Sequence, residues 1–377
     1  MDKAFEMFGL FDTAKMIARM GPFMKDMGEM NKMTIGEFSA QFKDPLLKEG
    51  FEQVFGLPGY PLLSLVVTMS LLHNRAGGYP IGGSFEFSKS IEKRYLDLGG
   101  KVFYGSQVKE IMVTEEEVRD VKGVQGEKAQ SRVEGVRLED GTEVKADFVI
   151  SAADLKTTVY QMLKGKFIEP QHEEMFKKVP LAPSSVQVFF GLNHKFTQPV
   201  ESASYVFRSE IPVLVGDESY TRITERNYNY DPGLSPDGKS VISSMFVVKN
   251  FEYWQELRKD KIAYQAEKDR IVETVTNVFE KRYPGFKGAI ETTDVVTPMT
   301  YVRYTGVYKG TYMTWILASQ NADKYRMVRK TLPGLSNFWL SGMWIMPPGG
   351  VPTGAKTSRD IIQLICKQEK IRFRVHS

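Results

Sequence analysis

Hydrophobic residues recur at two different periods along this chain. From Asp260 to Gly285, "DKIAYQAEKDRIVETVTNVFEKRYPG", Ile271, Val275, Val278 and Phe279 follow the i, i+4, i+7, i+8 spacing of one helix face. One long helix is predicted there, stopped by Pro284-Gly285. After Gly82-Gly83 a second helix is predicted from Phe87, Ile91 and Tyr95, with Gly99-Gly100 ending it in the manner of a left-handed cap. Alternation with period two takes over in "KVFYG" and "QVKEIMV". It continues in "VEGVRLEDGTEVKADFVISAAD", where Asp140-Gly141 joins two strands as a hairpin and "FVISAA" is a buried strand. The polar stretch from Thr114 to Arg132 is expected to be a hairpin insertion with little core. "SSVQVFFGLN" and "KSVISSMFVV" are further β-rich runs, separated by the polar turn "YDPGLSPDGK". Near the end, "NFWLSG" is a short buried strand, and "TGAKTSRDIIQLI" is a helix with Ile361, Leu364 and Ile365 on one side.

The chain of 377 residues is long enough for one large or two intertwined domains. Its 50 Lys and Arg against 46 Asp and Glu leave a net charge of +4, too small to point to nucleic acid. Cys366 is the single cysteine, which excludes an internal disulfide and fits a reducing, cytoplasmic setting. It lies in an apolar helical run and is read as a small core residue. The four histidines are scattered and form no metal-ligand spacing. The first thirty residues lack the features of a signal peptide. The longest apolar run, Tyr60 to Leu72, is shorter than the roughly 20 residues that span a bilayer.

These patterns predict an α/β nucleotide-binding core with an inserted β-meander, joined to an α+β part with an antiparallel sheet and helices. The amino-terminal part is read as helical, with Thr34 and Glu37 placed as a capping box. Met7, Met16, Met20, Met24, Met27, Met30 and Met33 are read first as adaptable core filling. A pliable wall for a long apolar ligand, or a contact with a membrane surface through residues 1–33, is the second reading.

The segment "FWLSGMWIMPPGGVPTGAKTSRDIIQLI" carries the chemistry. A strand, a Gly- and Pro-rich loop and a helix aim backbone N–H groups and a helix dipole at one place, which suits an anion or an electron-rich heterocycle. Gly349, Gly350 and Gly354 would let a flat ligand lie against the main chain. A tight turn that packs the last helix on a sheet accounts for the same residues equally well. No Lys-Ser or Lys-Thr pair follows the glycines, so the loop is not a P-loop.

Four blocks taken together resemble the phytoene desaturase-like flavoproteins, which include carotenoid desaturases, carotenoid isomerases and retinol saturase-like enzymes. They are "GGYPIGGSFEFSKSIEKRYLDLGGKVFYGSQVKEI", "VEGVRLEDGTEVKADFVISAAD", "TPMTYVRYTG" and "FWLSGMWIMPPGGVPTGAKTSRDIIQLICK". The resemblance implies a Rossmann-like FAD domain built from residues 79–155 and 331–377. It also implies a substrate domain built from a helical part, 1–78, and from 156–330. By position, Gly342, Met343, Pro348, Gly349, Gly350, Val351 and Pro352 would lie along the flavin. Val108 would meet its adenine end, and Ser151, Ala152 and Ala153 would close the same pocket. Arg303, Tyr304 and Trp344 are candidates for contact with the substrate; no residue is assigned a catalytic role.

The resemblance has one departure. No G-x-G-x-x-G fingerprint occurs in the chain, although the family's nucleotide-binding unit needs one near its start. The chain is therefore expected to be the family fold without that unit, so the FAD domain would be incomplete. Two functional readings follow. One is an FAD-dependent oxidoreductase acting on carbon–carbon bonds of a long apolar isoprenoid or carotenoid-like substrate, as part of a larger enzyme. The other is a non-catalytic subunit that binds an apolar ligand and relies on a complementing chain or on self-association. Either is expected to be cytoplasmic, peripheral at the membrane through residues 1–33.

Overall fold

A computed structural model describes residues 3–53, 58–114, 131–196, 204–316, 325, 327–347 and 349–375. The core of the expected insertion between Thr114 and Arg132 lies outside the described residues, as does Pro348. The chain folds as two compact units. One is built from 1–74, 105–182 and 313–377, the other from 75–104 and 183–312. Helices of 1–74 share a unit with the C-terminal strand and helix.

In the first unit α1 (Leu10–Lys32), α2 (Ile35–Ser39), α3 (Pro45–Gln53) and α4 (Leu62–His73) form a helical layer. Thr34 caps α2 as expected: its hydroxyl accepts from the Glu37 N–H at 3.1 Å, and Glu37 accepts from the Thr34 N–H at 2.7 Å. The methionines are not core. No residue of α1 is buried, and only Met30 and Met33 pack on the small cluster of Ile35, Leu62 and Leu65. Pro22 inside α1 and the charges on every turn leave the helix no continuous apolar stripe to bury. Among the described residues no helix is long and apolar enough to cross a membrane.

The second unit begins with α5 (Gly83–Asp97). It opens after Gly82, at φ 86°, and the chain leaves it through Gly99 at φ 85°, both conformations that favour glycine. The apolar positions that define this helix in the sequence are exposed, however: Ile91 at 57% and Tyr95 at 52%. "KVFYG" after it forms no strand. Phe103 and Tyr104 are open to solvent, and no described strand pairs with the segment.

Back in the first unit, β1 (Val108–Thr114), β2 (Ser131–Leu138) and β3 (Glu143–Lys145) form an antiparallel meander. It turns at Gly141, and the Asp140 carboxylate accepts from the Thr142 N–H. Then comes β4 (Val149–Ser151), a π-helical turn (Thr157–Met162) and α6 (Pro170–Lys178).

The second unit resumes with a five-stranded antiparallel sheet, ordered β6-β7-β8-β5-β9. The strands are β5 (Ser184–Leu192), β6 (Ser204–Val215), β7 (Glu218–Asn227), β8 (Ser240–Val248) and β9 (Ile290–Val296). The β6–β7 hairpin does not figure among the expected elements. Its signal is Gly216-Asp217, a two-residue turn with Gly216 at φ 62° between alternating runs. The predicted long helix is α8 (Lys261–Arg282), preceded by α7 (Phe251–Leu257) and followed by α9 (Phe286–Ala289) and α10 (Pro298–Thr305). Ile271, Val275 and Phe279 of α8 pack on Val186, Val188 and Phe190 of β5, all fully buried. Each such side chain contributes about 1.5–3 kcal/mol relative to exposure. The first unit closes with β10 (Leu335–Ser336), β11 (Phe338–Leu340) and α11 (Val351–Gln368).

Candidate functional site

Strands β4 and β11 pair in parallel, Val149 opposite Phe338 and Ser151 opposite Leu340. Their carboxyl ends therefore open on the same side, the side on which parallel α/β sheets hold ligands. The pairing continues one step into the loops, where the Ser341 N–H donates to the Ser151 carbonyl at 2.8 Å. Buried hydroxyls fix what comes next. Ser341 Oγ lies 2.9 Å from Ser358 Oγ, and the Gly342 N–H donates to Thr357 Oγ1 at 3.2 Å. Thr357 and Ser358 belong to α11, so the end of β11 is tied to the first turns of the helix.

The glycines between them differ in role. Gly342 has φ 95° and Gly350 has φ 97°, a region in which side chains are strained. A Cβ built on Gly342 would come no closer than 3.7 Å to the Ala152 carbonyl, and one on Gly350 no closer than 3.8 Å to Pro352 Cδ. A methyl group at either would make ordinary van der Waals contact and clash with nothing. Gly349, at φ 102°, is different: a Cβ there would sit 2.6 Å from Met343 Cβ. The missing side chain of that glycine makes room for the protein's own methionine. α11 starts at Gly350 with no side chain capping it, Val351 is 61% exposed and Pro352 is exposed. An open helix start beside two bare glycines fits an anionic or electron-rich planar group.

Ser151, Ala152, Gly342 and Met343 are thus neighbours, with Ala153 next in the loop and Gly350, Val351 and Pro352 at the helix start. Val108 begins β1 opposite Leu138, in the meander rather than in the parallel pair. Trp344 is 3% exposed and forms the floor of the loop. Its ring meets Trp315 edge to face at 4.8 Å and Phe176 at 6.4 Å. Tyr325 adjoins Trp315 at 6.0 Å, and burial pushes its phenol up to about 12. His172, one turn before Phe176 on α6, is buried; burial lowers its basicity more than Glu169, 3.4 Å away, raises it. Arg303 and Tyr304 are on α10 of the other unit, exposed, with the guanidinium 5.2 Å from the Tyr304 ring. Cys366 is half-buried on α11 rather than in the core.

Sequence reasoning missed Asn337. Its side chain holds β2 to the start of β4 and β11, and its φ of 50° was the only local hint of a special position. Among the described residues no group of acidic, His or Cys side chains converges in a way that could hold a metal.

The sequence pattern of flavin-containing amine oxidoreductases matches residues 30–362. The chain belongs to that family. Within the family its sequence is similar to carotenoid-converting proteins. The chloroplastic prolycopene isomerase of Arabidopsis thaliana is 28% identical over 256 residues, covering 67% of this chain and 40% of that protein. The 4,4'-diapophytoene desaturase (4,4'-diapolycopene-forming) of a Methylomonas species is 20% identical over 352 residues, covering 90% of this chain and 64% of that protein. The chain thus spans less than two thirds of the length of either. In fold it is similar to an oxidoreductase from Methanosarcina mazei, with a TM-score of 0.53 at 14% identity, covering 96% of this chain and 74% of the other. The mixed α/β fold with antiparallel sheets is that of this flavin oxidoreductase family, and the family implies a flavin cofactor.

Proposed function

We propose that the chain is part of an FAD-dependent oxidoreductase acting on carbon–carbon bonds of a long apolar isoprenoid or carotenoid-like substrate. The observation that carries this reading is the side-chain-free, positive-φ backbone at Gly342 and Gly350, where the parallel strands β4 and β11 end and α11 begins, in a chain of the flavin amine oxidoreductase family. Bound FAD would supply hydride chemistry. The protein's part is to bind, orient and exclude water. Gly342, Met343, Gly350, Val351 and Pro352 would hold the flavin against bare backbone and the helix start, while Ser151, Ala152 and Ala153 close the loop opposite. Val108 would meet the adenine end. Arg303, Tyr304 and Trp344 would contact the substrate, and no general acid or base is required of the protein. In this reading residues 79–155 and 331–377 contribute to the FAD domain, incomplete without a G-x-G-x-x-G unit, and 1–78 and 156–330 to the substrate domain. The protein would work in the cytoplasm, with residues 1–33 against a membrane that holds the substrate.

The test is the visible spectrum of the purified chain with and without added FAD. A flavin band that shifts on binding is expected. A chain that stays colourless after FAD is added and removed by gel filtration sinks the autonomous form of the proposal.

A second reading is favoured by one feature. The apolar face of α5, with Phe85 67% exposed and Ile91 57%, is left uncovered among the described residues. It supports a subunit that binds an apolar ligand and is completed by another chain carrying the G-x-G-x-x-G unit, or by self-association. Mixing the chain with a polypeptide that carries such a unit should then restore a flavin band that neither shows alone.

A further inference from the structure

We infer that the end of α11 and the segment after it form a docking surface for an anionic lipid membrane. From Arg359 to Val375 there are five Lys or Arg and two acids. One of those acids, Asp360, is buried and held between Lys330 and Lys356, so it offsets nothing at the surface. Most of the chain's net charge of +4 is thus concentrated in this short stretch. α11 ends through Lys370 at φ 57°, and the Ile371 N–H donates to the Cys366 carbonyl at 2.7 Å, so the chain leaves the helix sharply. The residues that follow alternate. Arg372 and Arg374 are exposed, and between and beside them stand Ile371, 63% exposed, and Val375, 69% exposed. Phe373 lies back beneath Arg359, with the guanidinium 5.9 Å from its ring, which anchors the segment to the helix. Ile362 on α11, 43% exposed, adds to the same apolar set.

Charge alone would suit any polyanion. The apolar members decide the partner. Ile371 and Val375 gain nothing from a phosphate backbone, and among the described residues of this segment no exposed aromatic ring stands ready to stack on bases. A bilayer satisfies both halves, with headgroup phosphates meeting the basic side chains and the acyl boundary receiving the aliphatic ones. The start of the chain adjoins α11, where the Ala4 N–H donates to Gln363 Oε1 at 2.7 Å, but the segment after the helix does not depend on flavin binding.

The test is co-sedimentation of the full chain with vesicles of phosphatidylcholine alone or of phosphatidylcholine with phosphatidylglycerol. Binding at least about tenfold stronger to the anionic vesicles is expected, weakening as salt shortens the screening length. The R372E/R374E variant should lose about tenfold or more of that binding with an unchanged far-UV spectrum. I371S/V375S should lose vesicle binding while still being retained on an immobilised soluble polyanion such as heparin. Equal binding to neutral vesicles, or binding that survives the charge reversal, assigns attachment to another surface and overturns the inference. Vesicle binding by I371S/V375S that equals the unmodified chain's makes this a general polyanion site and overturns it as well.

Discussion

Asn337 grips Val133 from both sides: its Oδ1 accepts the Val133 N–H at 2.9 Å, and its Nδ2 donates to the Val133 carbonyl at 2.8 Å. The same amide donates to the Asp147 carbonyl at 2.6 Å, and the Asn337 carbonyl accepts from the Val149 N–H at 3.0 Å. One buried side chain thus joins the meander to the parallel pair that ends at the candidate site.

Asn337→Ala should therefore destabilise the protein by about 2–4 kcal/mol, because buried backbone groups are left without partners. Asn337→Gly should recover about 1 kcal/mol of that loss, since glycine accepts the positive φ. Urea unfolding midpoints of the three proteins check both steps; equal midpoints for the alanine and glycine variants would remove strain from the account.

Lys330 is buried and bonds to Glu6 at 2.6 Å and to Asp360 at 3.2 Å, while its carbonyl accepts from the Leu340 N–H at 2.7 Å. Lys330→Met leaves Asp360 with Lys356 as its cationic partner and should cost about 3 kcal/mol. Adding Asp360→Asn should restore part of the loss, a coupling that a double-mutant thermal melt reads directly. Additive losses would mean the two residues act separately.

Glycine substitutions separate the roles read from the loop. Gly349→Ala pushes Met343 aside and should lower the melting temperature by several degrees. Gly342→Ala would only touch the Ala152 carbonyl at van der Waals distance, so its folding penalty should be confined to the positive φ, of order 1 kcal/mol. If the proposed flavin lies along this backbone, the variant should also weaken FAD binding by about tenfold or more, since a methyl group would stand between main chain and ring. Flavin titrations and melts on the same samples distinguish the two effects.

His172 gives the first unit an acid limit. Burial holds its folded-state basicity below the ordinary imidazole value, so the unfolded chain takes up protons more readily. The stability it contributes is complete above about pH 6.5 and is lost as the pH falls below that value. His172→Phe should flatten the stability profile between about pH 6.5 and 5. Chemical unfolding at a series of pH values checks this; an unchanged slope would assign the acid sensitivity elsewhere.

Local signals were legible and tertiary ones were not. The α8 stripe, the Asp140-Gly141 turn, the Thr34 box and the strand–loop–helix from Asn337 to Ile365 are each written within a few residues, and the structure has them all. "KVFYG" has the composition of a strand, but a strand exists only where another lies beside it. The apolar spacing of α5 and the methionines of α1 read as faces to be buried, yet the structure leaves them exposed or half-exposed. Glycine count alone made Gly349 look like its neighbours, whereas the difference lies in Met343, several residues away. Asn337 reads as no more than the first residue of a short strand until β2, some 200 residues earlier, is brought beside it.

The parallel pairing of β4 with β11 also sets an order of events. Its two halves stand roughly 190 residues apart, and each is three residues long. So short a contact closing so large a loop recovers little of the entropy it consumes until both flanking units are in place. On a ribosome β4 would emerge early and wait for its partner strand. The five-stranded sheet encoded between them can mature meanwhile. A nascent chain halted before Phe338 would carry that sheet complete, with β4 still lacking the strand beside it.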